Sequence, residues 1–162
     1  MAKMTLKGFE EYEARLSKLD HELKQDVIGR AVWEGARVVA DEIRKATEAL
    51  PVITGYGTPD HPLPGGVTKA QKAGLLDGLG VSHIRDDHGY INAKIDFWGY
   101  NDTKTEKWPR GQPNQLVARG VESGASWKQK KPFVRPTVNR SKDRAIEAMK
   151  KEVDKELEKI MK

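Results

Sequence analysis

The chain has 162 residues, no cysteine and a formal net charge of +5, with 37 % hydrophobic and 33 % charged residues. That length fits one domain burying roughly 68–70 % of its unfolded surface, with a modest core and much of the chain in exposed helix faces or loops. The composition excludes disulfides and thiolate metal sites, and no apolar run approaches the roughly 18 residues of a membrane span.

Met1-Ala2-Lys3-Met4-Thr5 carries no hydrophobic signal region, so a soluble chain not secreted by that route is expected. From Phe9 to Leu50 the pattern is helical. Phe9, Tyr12, Leu16, Leu19 and Leu23 recur at steps of three and four. Val27, Ala31, Val38 and Ala46, with Ile28, Val32, Val39 and Ile43 beside them, continue a wider stripe. The phase widens at Asp20-His21-Glu22, giving either a short helix followed by a longer one or a single bent helix. Trp33 lies inside this pattern and reads as core. Gly29 and Gly35 each cost about 1 kcal/mol relative to Ala in a helix, which is tolerable where another element packs closely. Pro51 ends the helical half.

Residues 51–70 hold Pro51, Gly55, Gly57, Pro59, Pro62, Pro64, Gly65 and Gly66, which leaves little room for a regular element, and predict an exposed, mobile loop. Strands follow. In Tyr90–Trp98, Ile91, Ala93, Ile95 and Phe97 alternate with Asn92, Lys94 and Asp96, the pattern of one strand with one face buried. Leu79–Arg85 reads as its partner, joined through Asp86-Asp87-His88-Gly89, whose glycine can supply a positive φ. Residues 101–114 form a second polar loop, and 116–122 read as a last short strand or turn.

Lys131-Pro132-Phe133-Val134-Arg135-Pro136 is the most distinctive segment. Proline fixes its own φ and pushes its predecessor to extended backbone, and Pro136 suits the first turn of a helix. The segment therefore sets Phe133 and Arg135 at a defined point before the C-terminal helix. In that helix Ile146, Met149, Val153, Leu157 and Ile160 form a narrow stripe that packs on one partner, either the N-terminal helix or a neighbouring subunit. Glu147 with Lys151 and Glu158 with Lys162 are i,i+4 pairs in the favourable order.

Charge is uneven: residues 128–162 hold 12 Lys and Arg against 6 Asp and Glu. Such a segment can meet phosphate or an acidic protein surface, but the interleaved acids equally suit a solvated helix face. Trp108 and Trp127 sit beside Lys107, Arg110, Lys128 and Lys130. Exposed rings next to cations suit an interface hot spot or base stacking; a ring capping a small core is the alternative. His83-Ile84-Arg85-Asp86-Asp87-His88 reads as polar turn residues rather than a metal site, because alternate strand residues face opposite sides. No carboxylate has an activating His, Cys or Ser partner, and Pro64-Gly65-Gly66 lacks the Lys-Ser/Thr of a phosphate loop. No enzyme, metal or cofactor is expected.

Several segments occur in an order that resembles the tail-completion, or head–tail joining, family of long-tailed bacteriophages. They are Leu6-Lys7-Gly8-Phe9-Glu10-Glu11-Tyr12, the Ala- and Val-rich helix ending at Ala49-Leu50-Pro51, Ala73-Gly74-Leu75-Leu76-Asp77-Gly78, Val121-Glu122-Ser123-Gly124, and Pro132-Phe133-Val134-Arg135-Pro136. The last is the most specific. The chain departs from the family in the Pro/Gly-rich insertion after Thr54-Gly55, in Ser123 where an aromatic is usual, and in its long 101–114 loop. The resemblance implies one α+β domain over 1–162, a small antiparallel sheet packed against helices, with many copies in a ring at the neck of the virion. It also implies head-connector and tail proteins as partners, passage of DNA through the ring, and no membrane. Assembly would take place in the host cytoplasm. Phe133 would be a buried anchor, and Arg135 would pair with a carboxylate, Glu122 being the candidate. The 51–70 and 101–114 loops would contact neighbouring virion proteins. A tail terminator is the alternative role, and a small basic nucleic-acid-binding protein the alternative class.

Overall fold

A computed structural model describes Leu16, Ser17 and residues 21–160. The described residues form an α+β chain of four helices and four short strands: α1 (His21–Glu48), α2 (Lys69–Gly78), β1 (Leu79–Val81), β2 (Arg85–Asp87), β3 (Tyr90–Asn92), β4 (Ile95–Phe97), α3 (Asn114–Ser123) and α4 (Val134–Ile160). The helical stretch expected around Phe9, Tyr12 and Leu19 lies outside the described residues. No helix among them is long and apolar enough to cross a membrane.

Two compact units divide the chain. The first comprises residues 1–39, 81–95 and 140–162. In it Val27 and Ala31 of α1 join Leu16 and the Met149, Val153 and Leu157 stripe of α4 in one buried cluster. The partner of the C-terminal stripe is therefore the N-terminal helix. Each large side chain in such a cluster contributes about 1.5–3 kcal/mol through burial. Close approach is possible because position 35 has no side chain: a Cβ on Gly35 would lie 2.5 Å from Met149 Cγ. Glu156 is buried at the edge of this cluster and accepts from Arg30 at 2.7 Å and Lys159 at 3.1 Å. Burial pushes its carboxyl up, but the two cations prevail and hold it below its ordinary value. Trp33 is not core. It is 39 % exposed, with the Arg37 guanidinium 5.3 Å from its ring, because its helix position falls opposite the buried stripe of Val27 and Ala31.

The expected long strand is broken. Arg85–Asp87 pairs antiparallel with Tyr90–Asn92, in register Arg85 to Asn92, Asp86 to Ile91 and Asp87 to Tyr90. Ile95–Phe97 pairs separately with Leu79–Val81. The hairpin turn is closed by His88 at φ 57° and Gly89 at φ 89°, and Asp86 Oδ1 accepts from the Gly89 N–H at 2.6 Å. Two adjacent positive φ values give the backbone twist that a two-residue hairpin needs.

The second unit comprises residues 40–80 and 96–139. Helix α2 follows Thr68, whose hydroxyl accepts from Gln71 N while the Gln71 side chain accepts from Thr68 N, a reciprocal capping box. Residues 116–122, expected as a strand or turn, lie in α3. Val117, Ala118 and Val121 are its buried positions, at helical spacing, and Gly124 at φ 78° ends it.

Of the segment 51–70, expected as an exposed loop, residues 51–67 contain no helix or named strand, whereas Lys69 and Ala70 open helix α2, and the segment is not exposed throughout. Val67 is fully buried. Ile53 N donates to Val67 O at 2.8 Å and Val67 N to Pro51 O at 3.0 Å, which closes the segment on itself.

Candidate interaction surface

Helix α4 begins where two prolines hold the chain, and its first turn has unmet backbone donors. The Glu122 carboxylate, arriving from α3, meets them. Its Oε2 accepts from Phe133 N at 2.8 Å and Val134 N at 2.9 Å, and its Oε1 from Arg135 N at 3.0 Å. The fourth position is Pro136, which has no N–H. All four backbone positions at this helix start are thereby accounted for. Partial burial pushes the Glu122 carboxyl up, and the three N–H donors together with the charge of Arg135 hold it below its ordinary value of 4.5. Arg135 does meet Glu122, but through its backbone N–H.

Phe133 is 5 % exposed, and its ring centroid lies 5.9 Å from that of Phe97. Pro132 is exposed and Pro136 half-buried. The Thr137 hydroxyl donates to Phe133 O at 2.6 Å. The Pro132–Pro136 segment is therefore a joint, with an aromatic anchored inward and a carboxylate gripping the helix start from another helix.

Immediately before this joint, residues 125–131 lie along the 51–67 segment. Leu63 N donates to Trp127 O at 2.9 Å and Gln129 N to Leu63 O at 2.8 Å. Glycines permit the approach: a Cβ on Gly57 would lie 1.9 Å from Trp127 O, and one on Gly65 would lie 2.5 Å from Lys131 Cβ. Two aromatic residues are presented by this arrangement, Tyr56 at 100 % exposure and Trp127 at 43 %. Lys130 and Lys131 are exposed beside them.

Lys128 is different. Only 3 % exposed, it donates to Gly66 O at 3.3 Å and lies 5.0 Å from the centre of the Trp127 ring. Burial lowers its ammonium pKa below the ordinary 10.5. Trp108, in the 101–114 loop, is half-buried with Lys107 Nζ 5.7 Å from its ring, and its N–H closes a turn onto Thr105.

Two residues that bear on this unit carried no sequence signal of their own. Asn114 is 2 % exposed, and its Nδ2 donates to Gly74 O and Trp98 O at 2.8 Å each, so it ties the start of α3 to the middle of α2 and to the residue that follows β4. Lys128 was legible only as one more basic residue beside a tryptophan. The Thr68-x-x-Gln71 spacing, by contrast, was a readable signature for α2. No group of three or more His, Asp or Glu that could hold a metal occurs among the described residues. Compared with known proteins, the chain matches no family model, no curated protein and no solved structure.

Proposed function

We propose that the protein is a structural component of a phage virion that joins the tail to the head connector as one subunit of a ring at the neck. The observation that carries this reading is the Pro132-Phe133-Val134-Arg135-Pro136 segment, standing in family order after Val121-Glu122-Ser123-Gly124. The anchored ring of Phe133 and the carboxylate grip on the helix start give that segment a physical role in holding the second unit together. Residue types suited to contact rather than turnover, exposed rings beside lysines, support the same reading.

Deleting the gene from its genome of origin and imaging the lysate by negative-stain electron microscopy tests it. The expected result is filled heads beside separate tails of normal length. Overlong tails would assign the protein to tail termination instead, and intact particles would refute the neck reading.

A further inference from the structure

We propose that Tyr56, Trp127, Lys130 and Lys131 form a docking surface for an acidic segment of a partner protein, a proposal that rests on reading the chain as a joining protein. The surface is built rather than incidental. Gly57 and Gly65 allow two loops to lie backbone to backbone, and the Leu63 ladder to Trp127 and Gln129 holds their register. The backbone of Trp127 is thereby held without the ordering cost that a free loop would pay on binding.

The charge on the 124–131 side of this surface is of one sign, while the facing 51–67 segment adds one acid, Asp60. Between Ser123 and Pro132 every charged residue is a lysine. Lys128 supplies the independent observation. It is a buried ammonium with three donors, yet its partners are one carbonyl and one ring, and no carboxylate of the described residues pairs with it. Buried cations ordinarily have an anion beside them. Beside it lies an open hollow of about 350 Å³, lined by Ser123, Gly124, Ser126, Lys128 and Lys130 among others. An incoming carboxylate near Lys128 would supply the missing charge, while Lys130 and Lys131 steer its approach and the rings supply contact area.

Nucleic acid fits less well. Lys130 and Lys131 are the exposed lysines of this stretch, so neutralisation of phosphates would be slight, with a salt slope of roughly −1.4 for two contacts to a single strand.

The test is fluorescence anisotropy with a labelled oligoglutamate peptide, and separately with labelled oligothymidylate, on the full chain. The peptide is expected to bind, and to bind about tenfold more weakly to Trp127→Ala and to the double variant Lys130→Glu/Lys131→Glu. The lysines are exposed, so thermal unfolding should be unchanged in the double variant. Trp127→Phe, which keeps a ring, should retain most of the affinity. Absence of peptide binding, equal binding by the variants, or tighter binding of oligothymidylate through the same residues would each overturn the proposal. A negative binding result alongside separated heads and tails in the deletion lysate would remove this surface while leaving the neck reading in place.

Discussion

Glu122 makes three backbone hydrogen bonds, each a charge-assisted contact to a group that nothing else in its own helix can satisfy. Glu122→Ala should cost about 2–3 kcal/mol in urea unfolding, above the usual value for one capping residue because three donors lose a charged acceptor together. Arg135→Ala should cost far less, since its contribution is a charge near a partly solvated carboxylate. A double-mutant cycle of the two should show coupling below about 0.5 kcal/mol; a larger value would mean that the guanidinium and carboxylate pair directly. Two glycines rank by what an added Cβ would meet. At Gly57 it meets backbone at 1.9 Å, and Gly57→Ala should cost about 3 kcal/mol. At Gly35 it would lie 2.5 Å from Cγ of the buried Met149, an overpacking cost of about 1–3 kcal/mol that the gain of about 1 kcal/mol in helix propensity offsets in part. Thermal denaturation should therefore place both variants below wild type, with Gly57→Ala the lower.

Elements were legible to the extent that their own periodicity announced them. Helix α1 and helix α4 showed steps of three and four, and of those positions Val27, Ala31, Val39, Ile43, Met149, Val153 and Leu157 are buried, whereas Leu23 is exposed. Strand alternation was also visible in Tyr90–Trp98, but alternation cannot report where a ladder changes partner, and the strand divides between β3 and β4. For helix α3 the seven residues 116–122, interrupted by Gly120, offer too short a window to separate a period of 3.6 from a strand or turn. What identifies it is tertiary: Val117, Ala118 and Val121 face a core, and Asn114 at its start binds carbonyls 16 and 40 residues away. Asn114→Ala should cost about 2–3 kcal/mol by leaving buried carbonyls without that donor. Loss of helix α3 signals in amide exchange should accompany it, whereas Gln115→Ala on the exposed side should leave them intact.

At the scale of the molecule, the three perturbed groups among the described residues act in one direction. Glu122 and Glu156 lie below their ordinary 4.5 and Lys128 below its ordinary 10.5, so in each window the unfolded chain binds more protons than the folded one. Stability should therefore fall as pH drops below about 4.5, through the two carboxyls, and should rise as pH climbs toward 10.5, through Lys128. Urea unfolding across pH checks this. Glu122→Gln and Glu156→Gln should flatten the acid limb and Lys128→Met the alkaline one, and a Lys128→Met variant that keeps the alkaline rise would refute the assignment. By itself the sequence determined the two long helices, the alternating run at Tyr90–Trp98, the absence of thiol chemistry and the position of the Pro132–Pro136 joint, because periodicity, composition and proline stereochemistry act within a few residues. Tertiary structure alone decided that Glu122 caps a helix begun twelve residues later, that Trp33 faces water, and that Lys128 is buried while Lys130 is not. Those outcomes depend on which segments approach each other in space, and residues of the same type look alike until that approach is made.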